Sequence, residues 1–432
     1  MSLKLKILFF CASLVLTLNA KAQNTNNSPY SQFGLGDYNP QYFAAQAGMG
    51  GIGVSNANGF NINSINPALL ARNDKFAAFD LGVSVRSQKL TSQNKTQNSV
   101  SGTLQYISLA FPVTSQKPDT AKFHWTTGLT LTPYSNIYYK VVTNNIIDPG
   151  GLGSSTSYIK EGSGGLTRFD FNNGFKLRKR LYVGLKMSYI WGDITKQETA
   201  SLSNIGFGNT IVNVGVGPTL IDRVNQHGFL FKLGSAYRRK IKEKLYFNTG
   251  ATYELGSKLN ATKIRYTQIP ISNPPLSDTL SSTIGTTKLP SQYQIGFSFE
   301  DPYHWTIGAD FTYQATASYV DYNGKSPLSN GYSFTVGGEY TPNIFSYTLS
   351  SRMTYRAGVN YSLTPITINN NQISDMSASL GSSMPIGRGN TMINLALSMG
   401  KRGSNAYVQE NYFRVNFGVT INDQWFKRRK ID

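Results

Sequence analysis

The chain has 432 residues, of which 40% are hydrophobic and 15% are charged, and it contains 41 glycines, 26 tyrosines and 24 phenylalanines. Soluble domains usually carry about 25% charged residues, so this aromatic-rich composition is unlike that of an ordinary soluble domain. The formal net charge is +19, which in a cytoplasmic protein would favour nucleic acid as a partner. The start of the chain instead predicts export from the cytoplasm.

Residues 1–22 have the order of regions found in a secretory signal peptide. Basic residues precede an apolar stretch over residues 7–18, and a small-residue pattern ends at Ala22. The apolar stretch is too short for a spanning helix, so we expect the mature chain to begin at Gln23. Cys11, the only cysteine, would be removed, which excludes disulfide and thiol chemistry.

Loss of Lys4, Lys6 and Lys21 with this segment lowers the net charge from +19 to +16. In an exported protein, anionic lipid headgroups are the expected counter-charge, and the alternative is solvated charge in loops and in a lumen. We expect no nucleic-acid partner.

Residues 23–73 do not alternate between apolar and polar side chains, and they are rich in Gly, Asn and Ala. They are too apolar for a disordered leader. Glycines at 48, 50, 51 and 53 allow tight turns and close packing, and Asn66-Pro67 opens a turn. We therefore treat residues 23–73 as a separate segment that precedes the first strand.

Within residues 74–421, segments that alternate between apolar and polar side chains recur, as strands with two different faces do. Segments 123–131 and 181–191 show the pattern clearly. In the last one, 411–421, Phe, Val and Ile occupy one parity. No stretch after residue 23 has the 18 consecutive apolar residues of a membrane helix.

Turn signals divide the alternating region into about 14 strands. Two hairpins are predicted, 229–237 with 245–255 and 293–299 with 305–313, the second turning at Asp301-Pro302. Further strands are predicted near residues 75–88, 100–112, 134–146, 166–178, 330–340, 352–363, 373–384 and 390–401. Long loops rich in Gly, Ser, Asn and Pro are predicted over 147–165, 197–225 and 267–287.

A closed barrel of this size cannot fill its centre with apolar side chains, so the apolar face is predicted to face the membrane. A lipid-facing Arg or Lys costs roughly 2–4 kcal/mol at mid-bilayer. Five charged residues lie on the polar parity and are expected to line the lumen: Lys186, Lys232, Glu254, Asp310 and Arg414. The sequence predicts an all-β fold, a transmembrane antiparallel barrel, and an exported multi-domain β-sandwich is the alternative.

Short motifs resemble those of the FadL family of outer-membrane transporters of long-chain fatty acids and hydrocarbons. The motif GMGGIGVS at 48–55 and the motif NPALLA at 66–71 look like the hatch motif of that family. KLPSQYQIGFSFE at 288–300 and WTIGADFTY at 305–313 look like its strand start and hairpin. The resemblance implies a 14-stranded barrel whose N-terminal segment forms a hatch in the lumen, with ligand entering from outside and leaving laterally.

The resemblance also suggests which residues act in the hatch. Gly48, Met49, Gly50 and Gly51, with the turn Asn66-Pro67-Ala68, are expected to be its hinge and packing elements. The alternative is a static turn that only seals the lumen.

The end of the chain, ENYFRVNFGVTINDQWFKRRKID at 410–432, is similar to that of a Bacteroidetes-type branch of this family, which includes accessory barrels of the type IX protein secretion system. The chain departs from the family by adding a basic tail at 422–432, which contains Lys427, Arg428, Arg429 and Lys430. A solvated periplasmic tail is one interpretation, and contact with a partner or with anionic lipid is the other.

Catalytic and cofactor chemistry has little support in the sequence. The three histidines, His124, His227 and His304, lack metal-ligand spacing, and no motif places a base beside a serine nucleophile. We expect no enzyme activity, no cofactor and no metal.

Two functions remain open from the sequence. One is passage of hydrophobic small molecules, such as long-chain fatty acids, through a hatch-gated outer-membrane barrel. The other is an accessory or plug barrel that docks on a large type IX translocon barrel. Outer-membrane lipid and lipopolysaccharide are expected partners of either.

Overall fold

The computed structural model describes residues 27–92, 95–114, 123–147, 154–178, 180–205, 211–269, 275–322, 324–325, 328–386 and 391–423. The predicted signal peptide and residues 424–432 of the predicted tail lie outside this part of the chain. In the described residues, no helix is long and apolar enough to span a bilayer.

Four short elements precede the barrel. They are the 3-10 helix η1 (Pro29–Gln32), strand β1 (Asp37–Tyr38), helix α1 (Ala44–Ala47) and the 3-10 helix η2 (Pro67–Arg72). The side chain of Ser28 caps η1, and that of Asn66 caps η2 by accepting from the Ala68 N–H. Each cap is followed by a proline, whose fixed φ suits the first position of a helix.

The rest of the chain forms a closed antiparallel barrel. Its strands are β2 (Ala77–Ser92), β3 (Lys95–Pro112), β4 (Phe123–Ile147), β5 (Ser154–Leu177), β6 (Leu181–Ile205), β7 (Ile211–Lys240), β8 (Tyr246–Glu254), β9 (Lys258–Ile269), β10 (Leu276–Lys288), β11 (Gln292–Asp301), β12 (Trp305–Gln314), β13 (Val320–Asp321), β14 (Gly324–Lys325), β15 (Gly331–Tyr340), β16 (Thr354–Ile368), β17 (Asn371–Pro385), β18 (Met392–Gly403) and β19 (Gln409–Asp423). The short helices η3 (Thr316–Ser318) and α2 (Leu349–Arg352) lie in connections.

The 18 strands β2 to β19 occupy 14 places around the barrel wall, because some places are built from two short strands. This confirms the predicted fold and strand count. Four positions are built from two strands in sequence, namely β8 with β9, β10 with β11, β12 with β13, and β14 with β15. The barrel closes between β19 and β2, from the pair Asp423 and Ala77 to the pair Gln409 and Thr91. We call the end with Ala77 and Asp423 the near end and the opposite end the far end.

Both predicted hairpins are confirmed. β7 pairs with β8 across a turn at residues 241–245, and β11 pairs with β12 up to Asp301 with Trp305. The apolar parity faces outward: Phe231 and Leu233 are exposed, whereas Lys232 between them is 1% exposed.

The predicted long loops are wrong in extent. Residues 154–177 lie in β5, residues 197–205 and 211–225 lie in β6 and β7, and residues 276–287 lie in β10. Strands β4 to β7 have 24 to 30 residues, whereas about 9–11 span a bilayer. The surplus lies at the far end, where the regular alternation of apolar and polar residues is lost.

The short strands define the height of the regular wall. β8, β11, β12 and β15 have 9 or 10 residues each. Across them, toward the far end, runs the tyrosine row, Tyr253, Tyr293, Tyr313 and Tyr332, which are successive register partners. Beyond this row the wall is interrupted before it continues in β9, β10, β13 and β14.

Candidate functional site: the hatch segment and the lumen

Residues 27–73, the hatch segment, lie inside the barrel. Most of their side chains are buried, including Leu35, Phe43, Met49 and Leu70. Helix η2 contacts β4, β5, β6 and β7, and α1 contacts β17, β18 and β19. The segment therefore contacts opposite parts of the wall. A cavity of about 10 Å³ between the segment, Glu339 and Arg356 holds about one water molecule.

The glycines at 48–51 pack against the wall. Gly50 and Gly51 have φ of +73° and +96°, a conformation that L side chains rarely adopt. The Gly50 N–H lies 2.8 Å from Ser379 Oγ. Met49 is buried, and a Cβ added to Gly358 of β16 would lie 2.2 Å from the Met49 carbonyl carbon.

The turn Asn66-Pro67-Ala68 is held by hydrogen bonds to two other parts of the molecule. Asn66 Nδ2 donates to the carbonyl of Val54 at 2.8 Å and to that of Ser235 in β7 at 3.0 Å. A Cβ on Gly184 would lie 2.3 Å from the Ala68 nitrogen. This turn thus lies directly against the backbone of β6 and β7.

Sequence reasoning did not identify the wall glycines that make this approach possible. Side chains at these positions would overlap the backbone or a side chain of the hatch segment: Gly174, Gly184, Gly234, Gly250, Gly296, Gly337, Gly358 and Gly381. Each lies at a polar-parity position of a strand. A glycine at a lumen-facing strand position, where other strands have Lys or Thr, indicates that another backbone approaches closely, and this pattern could have identified the contact from the sequence.

Lys186 belongs to a buried ionic cluster with Asp170 and Arg168. Its Nζ lies 3.6 Å from Asp170 Oδ2, and Arg168 Nε lies 2.9 Å from Asp170 Oδ1. Lys186 Nζ also donates to the carbonyl of Ser64 at 2.5 Å. The cluster therefore joins β5 and β6 to the hatch segment.

Lys232 and Glu254 form a second buried pair across β7 and β8, with 3.2 Å between Nζ and Oε2. Lys232 Nζ also donates to Gln41 Oε1 at 3.0 Å. Burial of two charges is tolerated when they are paired and hydrogen-bonded, and one of these partners comes from the hatch segment.

Asp310 and Arg414 have different surroundings. Asp310 Oδ2 accepts from the N–H groups of Gly53 and Val54 at 2.8 and 2.9 Å, so this carboxylate holds the hatch segment directly. Arg414 lies over the Tyr412 ring at 5.8 Å and is the register partner of Arg86. It forms no salt bridge with any residue that the structure describes.

The start of the hatch segment is attached to β18 and β19. Arg402 Nη1 lies 2.8 Å from Asp37 Oδ1, and Ser28 Oγ donates to Glu410 Oε1 at 2.5 Å. Tyr30 donates its hydroxyl to the carbonyl of Val408. Burial and the Glu410 carboxylate raise the pKa of Tyr30 to about 12, so it stays a neutral donor.

The wall has an unpaired seam between β3 and β4. These strands pair only from Ile107 with Leu131 to Pro112 with Thr126. From there to the far end, β4 pairs with β5 and β3 pairs with β2. Residues 28–39 of the hatch segment, which we call the strap, lie along the free edge of β4.

Backbone hydrogen bonds attach the strap to that edge. The N–H of Ser28 donates to Tyr138 O at 3.1 Å, and that of Asn39 to Tyr134 O at 3.0 Å. Between them, β1 pairs Asp37 with Asn136 and Tyr38 with Ser135. Tyr134 is an extra residue where the β4–β5 register shifts, and such bulges commonly occur near functional sites.

The lumen beside the seam is apolar. Leu35 of the strap packs in a buried cluster with Ile137, Ile190, Ile194 and Leu230, and wall residues complete it: Tyr134, Tyr139, Leu166, Leu259, Leu289 and Tyr319. The ionic clusters of Lys186 and Lys232 lie closer to the near end on the same strands. Beside the seam the far half of the lumen is therefore apolar, and a layer of buried ion pairs separates this part from the near end.

The family model described as BamG matches residues 4–432. The chain belongs to the BamG family. No curated protein matches it.

Solved structures with this fold include channels of the FadL type. The chain is 15% identical to the CymD monoaromatic hydrocarbon channel over 91% of this chain and 100% of that chain, with a TM-score of 0.52. The chain is 15% identical to the Ralstonia pickettii toluene transporter TbuX over 88% of this chain and 98% of that chain, with a TM-score of 0.53. It is 12% identical to a Pseudomonas aeruginosa FadL homologue over 90% of this chain and 99% of that chain, with a TM-score of 0.55. This BamG family chain thus shares their fold, which confirms the predicted resemblance at the level of architecture.

Proposed function

We propose that the protein is an outer-membrane barrel that passes hydrophobic small molecules, such as long-chain fatty acids or small aromatic hydrocarbons. The observation that carries this proposal is the unpaired β3–β4 seam beside an apolar lumen, closed by the strap. Two proteins of the same fold are a monoaromatic hydrocarbon channel and a toluene transporter, which supports the same substrate class.

The far end would face the outside of the cell, because long extensions of outer-membrane barrels are extracellular. A hydrophobic molecule entering there would meet the apolar cluster around Leu35. The charged layer around Lys186 and Lys232 opposes passage to the near end, since an apolar molecule gains nothing from displacing buried ion pairs. Lateral exit through the seam requires the strap to leave β4.

The residues predicted for the hatch have assigned places in this mechanism. Gly48 to Gly51 and the turn Asn66-Pro67-Ala68 hold the body of the hatch segment against the wall and remain in place. The strap is the moving part. It is attached by a few backbone hydrogen bonds, by the Arg402–Asp37 pair, and by hydrogen bonds from the side chains of Ser28 and Tyr30.

A reversible cross-link between strap and wall tests this gate. Because Asn39 donates to Tyr134, the next pair, Tyr38 and Ser135, is of the non-hydrogen-bonded kind, whose Cα atoms lie about 4.5 Å apart and suit a disulfide. In Tyr38→Cys/Ser135→Cys, uptake of labelled fatty acid should stop on oxidation and return on reduction.

The matched control is Thr312→Cys/Ser333→Cys, register partners on β12 and β15 away from the seam. Its uptake should be the same in both redox states. Unchanged uptake by the oxidised seam variant would show that the strap is no gate.

The second candidate is an interaction protein, an accessory barrel of a type IX translocon. It is favoured by the filling of the lumen, since the cavity beside Met49 has a volume of about 10 Å³ and leaves no room there for a substrate. Cross-linked co-purification from native membranes tests it: recovery of a large partner barrel, together with no binding of any lipidic ligand, would favour this role over transport.

A further inference from the structure

Aromatic side chains of β5, β6 and β7 form a groove on the outer wall. Phe169, Tyr189 and Phe229 are successive register partners, and all three are exposed. The ring of Tyr189 lies 5.6 Å from that of Trp191 and 5.1 Å from that of Phe229. The groove, which His227 and Asn225 also line, is open to the surface and has a volume of about 570 Å³.

Two lysines continue the same row on the next strands. Lys258 of β9 and Lys288 of β10 are register partners, and both are exposed on the outer face, since Leu259 and Thr287 beside them are fully buried toward the lumen. Directly opposite residues have Cβ atoms about 4.5–5.5 Å apart, where like charges destabilise the pair. Neither lysine forms a salt bridge within the described part of the chain.

The lysines and the aromatic groove are adjacent. Ser257, next to Lys258, donates its hydroxyl to the carbonyl of Phe229, so β9 lies beside the groove. Neighbouring strands are about 4.8 Å apart, which places Lys288 roughly 10 Å from Phe229. The carboxylate of Asp193 on this face is paired with Arg223 at 3.1 Å and leaves the lysine charges uncompensated.

The level of this site on the wall fits a lipid headgroup. Lys258 lies five residues beyond Tyr253 of the tyrosine row along the chain, and such aromatic rows mark the boundary between hydrocarbon and headgroups. The lysines and the aromatic groove beside them thus lie together on the far-end side of this boundary.

We propose that this part of the outer wall binds an acylated lipid whose phosphate groups neutralise Lys258 and Lys288 while an acyl chain lies along Tyr189, Trp191 and Phe229. The proposal rests on the outer-membrane location proposed above. It is independent of the seam and of the lumen.

Retention of diphosphoryl lipid A by the purified full-length protein in detergent, counted by native mass spectrometry, tests the site. For Lys258→Ala/Lys288→Ala we expect about thirtyfold weaker binding, since a basic residue near a membrane surface contributes about 1 kcal/mol. The control is Lys242→Ala/Lys244→Ala, two exposed lysines in the β7–β8 turn at the near end, which should bind like the unaltered protein.

Two further arms separate a lipid from a free anion. Trp191→Ala should weaken binding of lipid A, and excess inorganic phosphate should leave it bound. Equal binding by both double-lysine variants would overturn the proposal, as would full displacement by phosphate or no retention by the unaltered protein. Fatty-acid uptake should be unchanged in Lys258→Ala/Lys288→Ala, so failure here and failure of the transport proposal give different results.

Discussion

Lys232 shows how single residues connect the wall to the hatch segment. Its ammonium group lies between Glu254 of the neighbouring strand and Gln41 of the hatch segment, at 3.2 and 3.0 Å. Loss of one member of a buried pair typically costs about 3–5 kcal/mol, because the remaining charge stays buried without a partner, whereas replacing both by neutral residues costs much less. We therefore expect the pair to position the hatch segment more than to add stability.

A double-mutant cycle measures this coupling. Lys232→Met should lower the free energy of unfolding in detergent by about 3–5 kcal/mol, because Glu254 is left unpaired. Lys232→Met/Glu254→Gln should recover most of that loss. Urea unfolding followed by tryptophan fluorescence gives the free energy of unfolding of Lys232→Met, of Glu254→Gln and of the double variant. A double variant whose loss equals the sum of the losses of the two single variants would contradict the coupling.

Replacing a wall glycine by alanine would overfill its contact with the hatch segment. In Gly184→Ala the new Cβ would lie 2.3 Å from the Ala68 nitrogen, so η2 must move, and overpacking of this kind costs about 1–3 kcal/mol. In the control Gly102→Ala nothing lies within 4 Å of the new Cβ. We expect Gly184→Ala alone to speed proteolysis of the hatch segment, and equal digestion rates would contradict the close contact.

The sequence showed where charges lie on the strands but not what they contact. Parity placed Lys186 and Lys232 on the polar face, because neighbours two residues apart share a face. Their partners Ser64 and Gln41 are 122 and 191 residues away in sequence, and no local pattern encodes such contacts. The motif at 66–71 was recognisable in the sequence. Gly184 of β6, against which its backbone packs, was identified only from the structure.

At the scale of elements, alternation predicted the strands that cross the membrane and missed their extensions. β11 and β12 have one apolar and one polar face and were predicted almost to the residue. The far parts of β5 to β7 lack a regular alternation of apolar and polar residues and were taken for loops. Their regularity comes from ladder hydrogen bonds with neighbours, which hydropathy does not report. The bulge at Tyr134 was likewise invisible.

The strap is the element whose attachment can be weakened selectively. Arg402→Gln removes the 2.8 Å pair with Asp37, a charge-assisted contact worth about 1.5–3 kcal/mol. The amides of Ser28 and Asn39, which donate to β4, should then exchange with deuterium faster by about tenfold or more.

Hydrogen exchange by mass spectrometry, read on a peptide covering residues 28–39, makes the measurement. Arg265→Gln is the matched control, since it removes a 2.6 Å pair with Asp222 in the far extension and leaves the strap untouched. Faster exchange in both variants would indicate general loosening of the barrel and not release of the strap.

At the scale of the whole molecule, the short strands and the tyrosine row set the height of the band that meets lipid. Strands of 9 or 10 residues match the 9–11 that span a bilayer. The closed 14-stranded barrel could be predicted because the apolar parity of so many strands cannot be buried in its centre. The breaks beyond the tyrosine row, one of which contains η3, could not be predicted in this way.

The band makes one substitution costly and a similar one harmless. Phe297 lies in the middle of β11 and is 50% exposed, whereas Ile284 on β10 is 86% exposed beyond the tyrosine row. Phe297→Arg should destabilise the barrel in lipid vesicles, lowering its free energy of unfolding by roughly 2–4 kcal/mol, because the guanidinium enters hydrocarbon. Ile284→Arg should cost about 0–1 kcal/mol, because its side chain meets water or headgroups. Reversible unfolding in phospholipid vesicles compares the two, and equal losses would place the membrane boundary elsewhere on the barrel.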